Sequence, residues 1–263
     1  MTGELPSLFD AHLHPEGLTD QDIESLQIFG VSAALVAAHH APMDSTPRAI
    51  LAHFDSILTI QLPRLERRGI RAYAAVGVDP RRLPRRGMSE VLAALPSYFS
   101  SGKVVALGEV GLQRGGEAEE SAFIEQLGLA RRLKLPVLVH TPVVDKERLT
   151  RRILNLLKKA GIAPQRVMVD HASRRTVRTI LECGYFAGLT IHPDELSAER
   201  ATAVVARFGS ERLILDSDLG DGPGDIIGLP RTAHLMLKKK LSEGVIRKVA
   251  FKNAADFFRV ASN

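Results

Sequence analysis

A closed (β/α)8 barrel is the fold this sequence predicts, and three observations predict it. Short apolar, strand-like runs alternate with longer helical patterns from one end of the chain to the other, which is the signature of repeated βαβ units. Eight such runs can be counted. The length of 263 residues suits a barrel of about 250 residues built as one unit. No Ser/Pro/Gly-rich linker or composition break marks a second domain, so residues 1–263 are read as one. Counting alone leaves an open doubly wound sheet as the alternative.

The strand candidates are Leu8 to His12, Ser32 to Ala38, Arg71 to Val78, Val104 to Leu107, Val137 to His140, Arg166 to Asp170, Tyr185 to Ile191 and Arg212 to Leu215. Start and stop signals punctuate the segments between them. Thr19 precedes a helical Gln21 to Leu26. Ser45 and Thr46 precede Pro47 and an apolar stripe of Ile50, Leu51, Phe54, Ile57 and Leu58, which Arg67, Arg68 and Gly69 close; Pro63 should kink or break this helix late. Glu117 to Leu133 turns Phe123, Leu127 and Ala130 inward, and Lys146 to Ala160 carries Leu149, Ile153, Leu156 and Leu157 before stopping at Gly161. Ser173 opens a short helix closed by Gly184, with Cys183 read as core; Ser197 opens another closed by Gly209. Val245 to Phe258 forms the last helix.

Composition narrows the class. Hydrophobic residues at 45% and charged residues at 25% are ordinary globular values. No apolar run approaches the roughly 20 residues needed to span a bilayer, so no membrane partner is expected. Met1 to Pro6 shows neither a basic nor an apolar leader pattern, and Cys183 is the only cysteine, so the expected location is the cytoplasm. The formal charge of +5 mildly favours an anionic partner. Arginines cluster at Arg81, Arg82, Arg85 and Arg86, whereas Lys238, Lys239 and Lys240 read as a solvated helix face. With three tyrosines and no tryptophan, no platform for stacking single-stranded bases is evident. Oligomeric state is left open.

The chemistry begins at Phe9-Asp10-Ala11-His12-Leu13-His14. Histidines two apart on a strand point to the same side and can reach one metal ion, although a lone His-x-His is weak evidence. In a barrel the active site stands at the C-terminal ends of the strands. Glu109 follows strand 4, His140 ends strand 5, His171 follows strand 6 and Asp216-Ser217-Asp218 follows strand 8. Singly, each could cap a turn or pair with a neighbour. Jointly, imidazoles and carboxylates at one mouth are most economically a hydrolytic centre of one or two metals. His39 and His40 after strand 2, Asp79 after strand 3 and His192 after strand 7 read as loop or supporting residues. His192 is the strongest of these and could touch substrate. Gly220 to Asp225 reads as a βα loop able to close over the mouth.

Asp10-Ala11-His12-Leu13-His14, Gly108-Glu109-Val110-Gly111-Leu112, Val139-His140-Thr141, Asp170-His171-Ala172 and Asp216-Ser217-Asp218 resemble the ordered motifs of the TatD-like metal-dependent hydrolases, within the amidohydrolase superfamily of TIM barrels. Lys252 to Phe258 is similar to that family's closing helix, so the resemblance covers nearly the whole chain. It implies that His12, His14, Glu109 and Asp218 hold one divalent ion and that Glu109, His140 and His171 hold a second. Glu109 would then bridge the pair. Zinc is the first expectation for both ions, with manganese, magnesium or nickel as alternatives. Asp218, matching the family's final ligand, would carry a proton from the attacking water to the leaving group.

The substrate shell departs from the family. Gln113 stands where aspartate is usual, Thr141-Pro142 follows His140 in place of Ser-Arg, and Ala172-Ser173-Arg174-Arg175 follows His171 in place of Cys-Phe-Ser-Gly. Replacement phosphate partners are Arg81, Arg82 and Arg174, with Arg114 and Arg175 nearby; the alternative for each is solvent or a pairing with Glu117, Glu119 or Glu120. The expected function is a dinuclear metal-dependent hydrolase that activates water against a phosphoester, in the manner of a TatD-like deoxyribonuclease. Its substrate is expected to be a small anionic molecule or a nucleic-acid end. The alternative is amidohydrolase-type cleavage of a small-molecule ester, lactone or amide.

Overall fold

The computed structural model describes residues 6–39 and 45–261. His40 and the N-terminal Met1 to Leu5, on which two of the expectations above fall, lie outside the described residues. Eight parallel strands follow one another around the sheet: β1 (Leu8–Leu13), β2 (Val31–Ala37), β3 (Arg71–Val76), β4 (Val104–Gly111), β5 (Val137–His140), β6 (Val167–Val169), β7 (Phe186–Thr190) and β8 (Leu213–Asp216). The segment after β8 returns to β1, where the Asp218 amide donates to the His12 carbonyl at 2.9 Å and the His14 amide to the Leu219 carbonyl at 2.8 Å. The sheet thus closes as a (β/α)8 TIM barrel, and the doubly wound alternative is excluded.

The helices are α1 (Asp20–Ile28), α2 (Pro47–Ser56), α3 (Leu62–Glu66), α4 (Met88–Tyr98), α5 (Glu117–Leu133), α6 (Lys146–Ala160), α7 (Val177–Glu182), α8 (Ala198–Phe208), α9 (Gly228–Lys238), α10 (Glu243–Arg247) and α11 (Asn253–Phe258). Val36, Val76, Val139, Val169 and Leu215 face outward into one core with the helical stripes, while Phe9, Leu35, Leu138, Met168 and Ile214 fill the barrel interior. Burial on both faces is why these strands read as unbroken apolar runs. Phe251 and Phe258 pack on the Phe9 ring, with centroids 5.8 and 6.0 Å away, and cover the end where the strands begin.

Two strands are irregular where the chemistry sits. Between Asp10 and Leu13 of β1, and between Leu107 and Val110 of β4, three steps along the strand oppose two on the neighbour. Such bulges re-aim side chains and bend the strand. They fall on His12 and on Glu109. They also explain why β4 extends to Gly111 rather than stopping at Leu107: the strand passes Gly108, where a Cβ would lie 2.7 Å from Leu138 Cβ.

Several elements differ from expectation. Helix α4 has no sequence signal, because it starts at Gly87 without a side-chain cap and carries Pro96 inside. The helix expected to kink or break at Pro63 is interrupted just before it: a π-helical stretch, Ile57–Gln61, precedes α3 and places the proline in its first turn. A similar stretch, Lys248–Lys252, joins α10 to α11. Helix α7 begins after Ser173, because the Ser173 and Thr176 hydroxyls close a turn on each other's amides. Cys183 is exposed rather than core, since it caps α7 beyond the buried Val177 and Ile180. Among the described residues no helix is long and apolar enough to cross a membrane.

Candidate metal centre

Six donors meet at the C-terminal mouth. His12 Nε2 lies 3.1 Å from His14 Nε2, 3.5 Å from Glu109 Oε2 and 3.5 Å from Asp218 Oδ1. His14 Nε2 lies 3.0 Å from that Asp218 oxygen. On the other side Glu109 Oε1 lies 2.6 Å from His140 Nδ1 and 3.7 Å from His171 Nε2. Glu109 therefore faces both groups, one oxygen to each. Donors sharing a tetrahedral ion at bonds of about 2.0–2.2 Å stand roughly 3.3–3.6 Å apart, so all but the 2.6 Å Glu109–His140 contact lie near the spacing of a coordination shell. Glu109 Oε1 and His140 Nδ1 are buried 2.6 Å apart and neither makes an aligned hydrogen bond, which leaves both atoms available to a common cation. Imidazoles and carboxylates in this arrangement suit a divalent cation.

The far nitrogen of each imidazole is held. His12 Nδ1 meets Asp170 Oδ2 at 2.6 Å, His14 Nδ1 donates to the Ala37 carbonyl at 3.0 Å, His140 Nε2 meets Gln113 Oε1 at 2.8 Å and His171 Nδ1 meets Thr190 Oγ1 at 3.0 Å. That anchoring leaves one nitrogen per ring aimed at the cluster. Asp170 also accepts from the His171 amide at 2.8 Å, and it fits because β7 carries Gly188, whose absent Cβ would lie 1.9 Å from Asp170 Oδ1. Asp10 accepts from the Ser217 amide at 3.0 Å and from its hydroxyl, tying β1 to the turn that presents Asp218. His171 and Asp218 have φ of 54° and 53°, the left-handed region that non-glycine residues enter at a cost and mostly at functional sites.

Electrostatics follow from burial opposed by neighbours. Burial would raise the Glu109 carboxyl, but Arg81, His140 and His12 hold it well below the usual carboxylate range. Burial would lower His12, yet Asp218, Asp170 and Glu109 lift it well above an ordinary histidine. Asp10 is pushed up to about 6 by burial. Asp216 is also held well above the usual carboxylate range, by burial and then by Asp170, and it joins none of the donor groups, whereas Asp218 does.

The other expected residues separate. Arg81 is drawn into the cluster: its guanidinium lies 2.8 Å from Asp79, 2.6 Å from Asp221 and 3.4 Å from Glu109. Arg82 and Arg174 are exposed. His192 is buried, with Nδ1 accepting from the Asp194 amide at 3.3 Å. A cleft of about 460 Å³ is lined by Pro80, Arg81, Arg82, Gln113, Arg114 and Glu119, and two of its walls touch the cluster through Arg81–Glu109 and Gln113–His140. Glu119 faces the Gln113, Arg114 and Gly115 amides at 2.7 to 2.9 Å rather than an arginine. Sequence reasoning gave no role to Asp10, Asp170, Lys146 or Glu195. Lys146 Nζ donates to the His171 carbonyl at 2.7 Å and to Glu195 at 2.7 Å. Its one signal was a lysine opening a helix, where a cation opposes the dipole.

Barrel, donor cluster and relatives together define a metal-dependent hydrolase. The chain is 32% identical over 254 residues, covering 96% of itself and 100% of the relative, to an uncharacterised metal-dependent hydrolase of Methanocaldococcus jannaschii. It belongs to the TatD related DNase family, whose model matches residues 9–258. The crystal structure of a TatD-like protein from Archaeoglobus fulgidus superposes with a TM-score of 0.76 at 30% identity, over 96% of this chain and 100% of that one. A deoxyribonuclease Tat-D of Schizosaccharomyces pombe is 28% identical over 161 residues, which is 58% of this chain and 49% of the relative.

Proposed function

We propose that the protein is a dinuclear phosphoesterase acting on a small anionic phosphoester or a nucleic-acid end. His12, His14, Glu109 and Asp218 would hold one divalent ion, and Glu109, His140 and His171 the other. The observation that carries the phosphoester reading is the cleft beside the cluster, which Arg82 and Arg114 line next to Arg81, itself paired with Asp79 and Asp221. Guanidinium groups grip phosphate oxygens bidentately, and a carboxylic ester or lactone would leave that charge unmatched. The deoxyribonuclease of Schizosaccharomyces pombe supports the nucleic-acid form of the reading.

Bound in this cluster, divalent ions, with zinc the first candidate, would polarise the substrate oxygen and lower the pKa of water to about 7. Asp218 is the donor most open to the mouth, with 16% of its side chain exposed. Burial works against its charge, but His12, His14 and His171 keep it ionised, so it can accept a proton from the attacking water. The water oxygen bonds to phosphorus, the bond to the leaving oxygen breaks, and Asp218 returns the proton to that oxygen. Arg82 and Arg174 would position the phosphate beside the carboxylate-paired Arg81, and His192 would border the substrate.

A metal-reconstituted screen of phosphodiesters, phosphomonoesters, DNA ends, lactones and amides tests this reading. Turnover confined to lactones or amides would overturn it. Asp218→Asn should lower kcat by about 10²-fold or more while the folded circular-dichroism spectrum is kept; an unchanged kcat removes Asp218 as proton carrier.

A further inference from the structure

A second group of donors stands beside the first. Glu16 lies in the short turn Pro15–Gly17 after β1, His39 follows β2, and His53 lies in α2, so three separate elements bring them together. Glu16 Oε1 is 3.4 Å from His39 Nδ1 and 3.7 Å from His53 Nε2. The His39 and His53 rings meet edge-on with centroids 5.4 Å apart, and the His39 ring lies 4.1 Å from that of His14. Side-chain exposure is 8% for His39, 11% for His53 and 23% for Glu16. Among the described residues, neither Glu16 oxygen accepts a hydrogen bond, although both atoms are buried.

The separations discriminate between two accounts. A charge-assisted imidazolium–carboxylate pair closes to about 2.7–2.9 Å. Two ligands of one tetrahedral ion, each bonded at about 2.0–2.1 Å, stand roughly 3.4 Å apart. The Glu16 contacts, at 3.4 and 3.7 Å, match the second. Two imidazole nitrogens and one carboxylate oxygen form a ligand set that leaves a fourth position open. His14, Glu16 and His39 are the three whose donor atoms lie within 4.8 Å of one another, so the two clusters adjoin through His14, and His53 joins through its contact with Glu16.

We infer that Glu16, His39 and His53 form a further binding site for a divalent cation of the zinc class, next to the centre that His14 helps to build. The site is independent of the phosphoester reading. Protein loaded with excess zinc and passed through a desalting column should carry one equivalent more by elemental analysis than Glu16→Gln or His53→Gln treated in the same way. Cobalt-loaded wild type should show visible ligand-field absorption that both variants lose in part. Thermal melts of the metal-free proteins establish that each variant folds, and the cobalt titration of the wild type resolves the extra step even where one variant does not. Equal stoichiometry in wild type and both folded variants, or a cobalt titration complete without that step, overturns the inference. A difference of one equivalent with a wild-type total below three would instead count against the dinuclear reading and leave this site standing.

Discussion

Asp170 shows how a single carboxylate organises the mouth. Its Oδ2 meets His12 Nδ1 at 2.6 Å and its Oδ1 takes the His171 amide, so it orients the His12 imidazole of β1 and fixes the backbone that presents His171 after β6. Supporting residues of this kind typically contribute 10–100-fold in metal affinity. Asp170→Asn should weaken zinc binding by about that factor, read by competition against a chromophoric chelator, because a neutral amide orients the ring without raising its basicity. Unchanged affinity would mean that packing alone aims His12. The motif Asp170-His171-Ala172 was visible in the sequence, but the destination of its aspartate was not, since His12 lies 158 positions away. Gln113 is a similar case. As a departure from the family it pointed to substrate, yet in the fold it holds His140 through Nε2, which leaves Nδ1 as the nitrogen facing Glu109.

Among the elements, the start of α6 ties the mouth together. Lys146 spans the His171 carbonyl after β6 and the Glu195 carboxylate in the β7–α8 connection, with 10% and 8% of the two side chains exposed. Burial lowers the lysine's pKa and Glu195 opposes that shift. Removing one partner of such a pair leaves a buried charge uncompensated, at a cost of about 3 kcal/mol or more. Lys146→Ala should therefore lower the denaturant midpoint without changing the slope of the transition, and a midpoint equal to wild type would show that the pair is solvated. A helix with a capping serine and a clean stripe, such as α8, could be bounded from its own residues, because cap and period are local properties. Helix α4 could not be, since its stability comes from burying Val91 and Leu95 against a neighbour the local pattern does not name.

Across the whole molecule, the barrel gathers carboxylates and imidazoles into a largely apolar shell, and that arrangement couples metal to stability. Glu109 and Asp170, whose carboxyls are held below the usual range, are fully buried at the mouth beside Asp10 and Asp216, a concentration of carboxylates that a bound cation offsets. A ligand that binds only the folded state adds about 2.7 kcal/mol at a hundred times its Kd. Stripping metal with a chelator should accordingly lower Tm by several degrees, and zinc should restore it in calorimetry; an indifferent Tm would argue that the cluster is stable without an ion.

The sequence by itself determined the eight-unit alternation, the ligand-type residues at the strand ends and the order of the family's motifs, because periodicity and strand-end position are properties of short segments. Only the tertiary structure decided that the sheet closes, that bulges in β1 and β4 fall on His12 and Glu109, that Arg81 is engaged with Asp79 and Asp221, and that Glu16, His39 and His53 meet. Each of those facts depends on residues distant in the chain, and side chains on separate βα connections become neighbours only when the barrel closes.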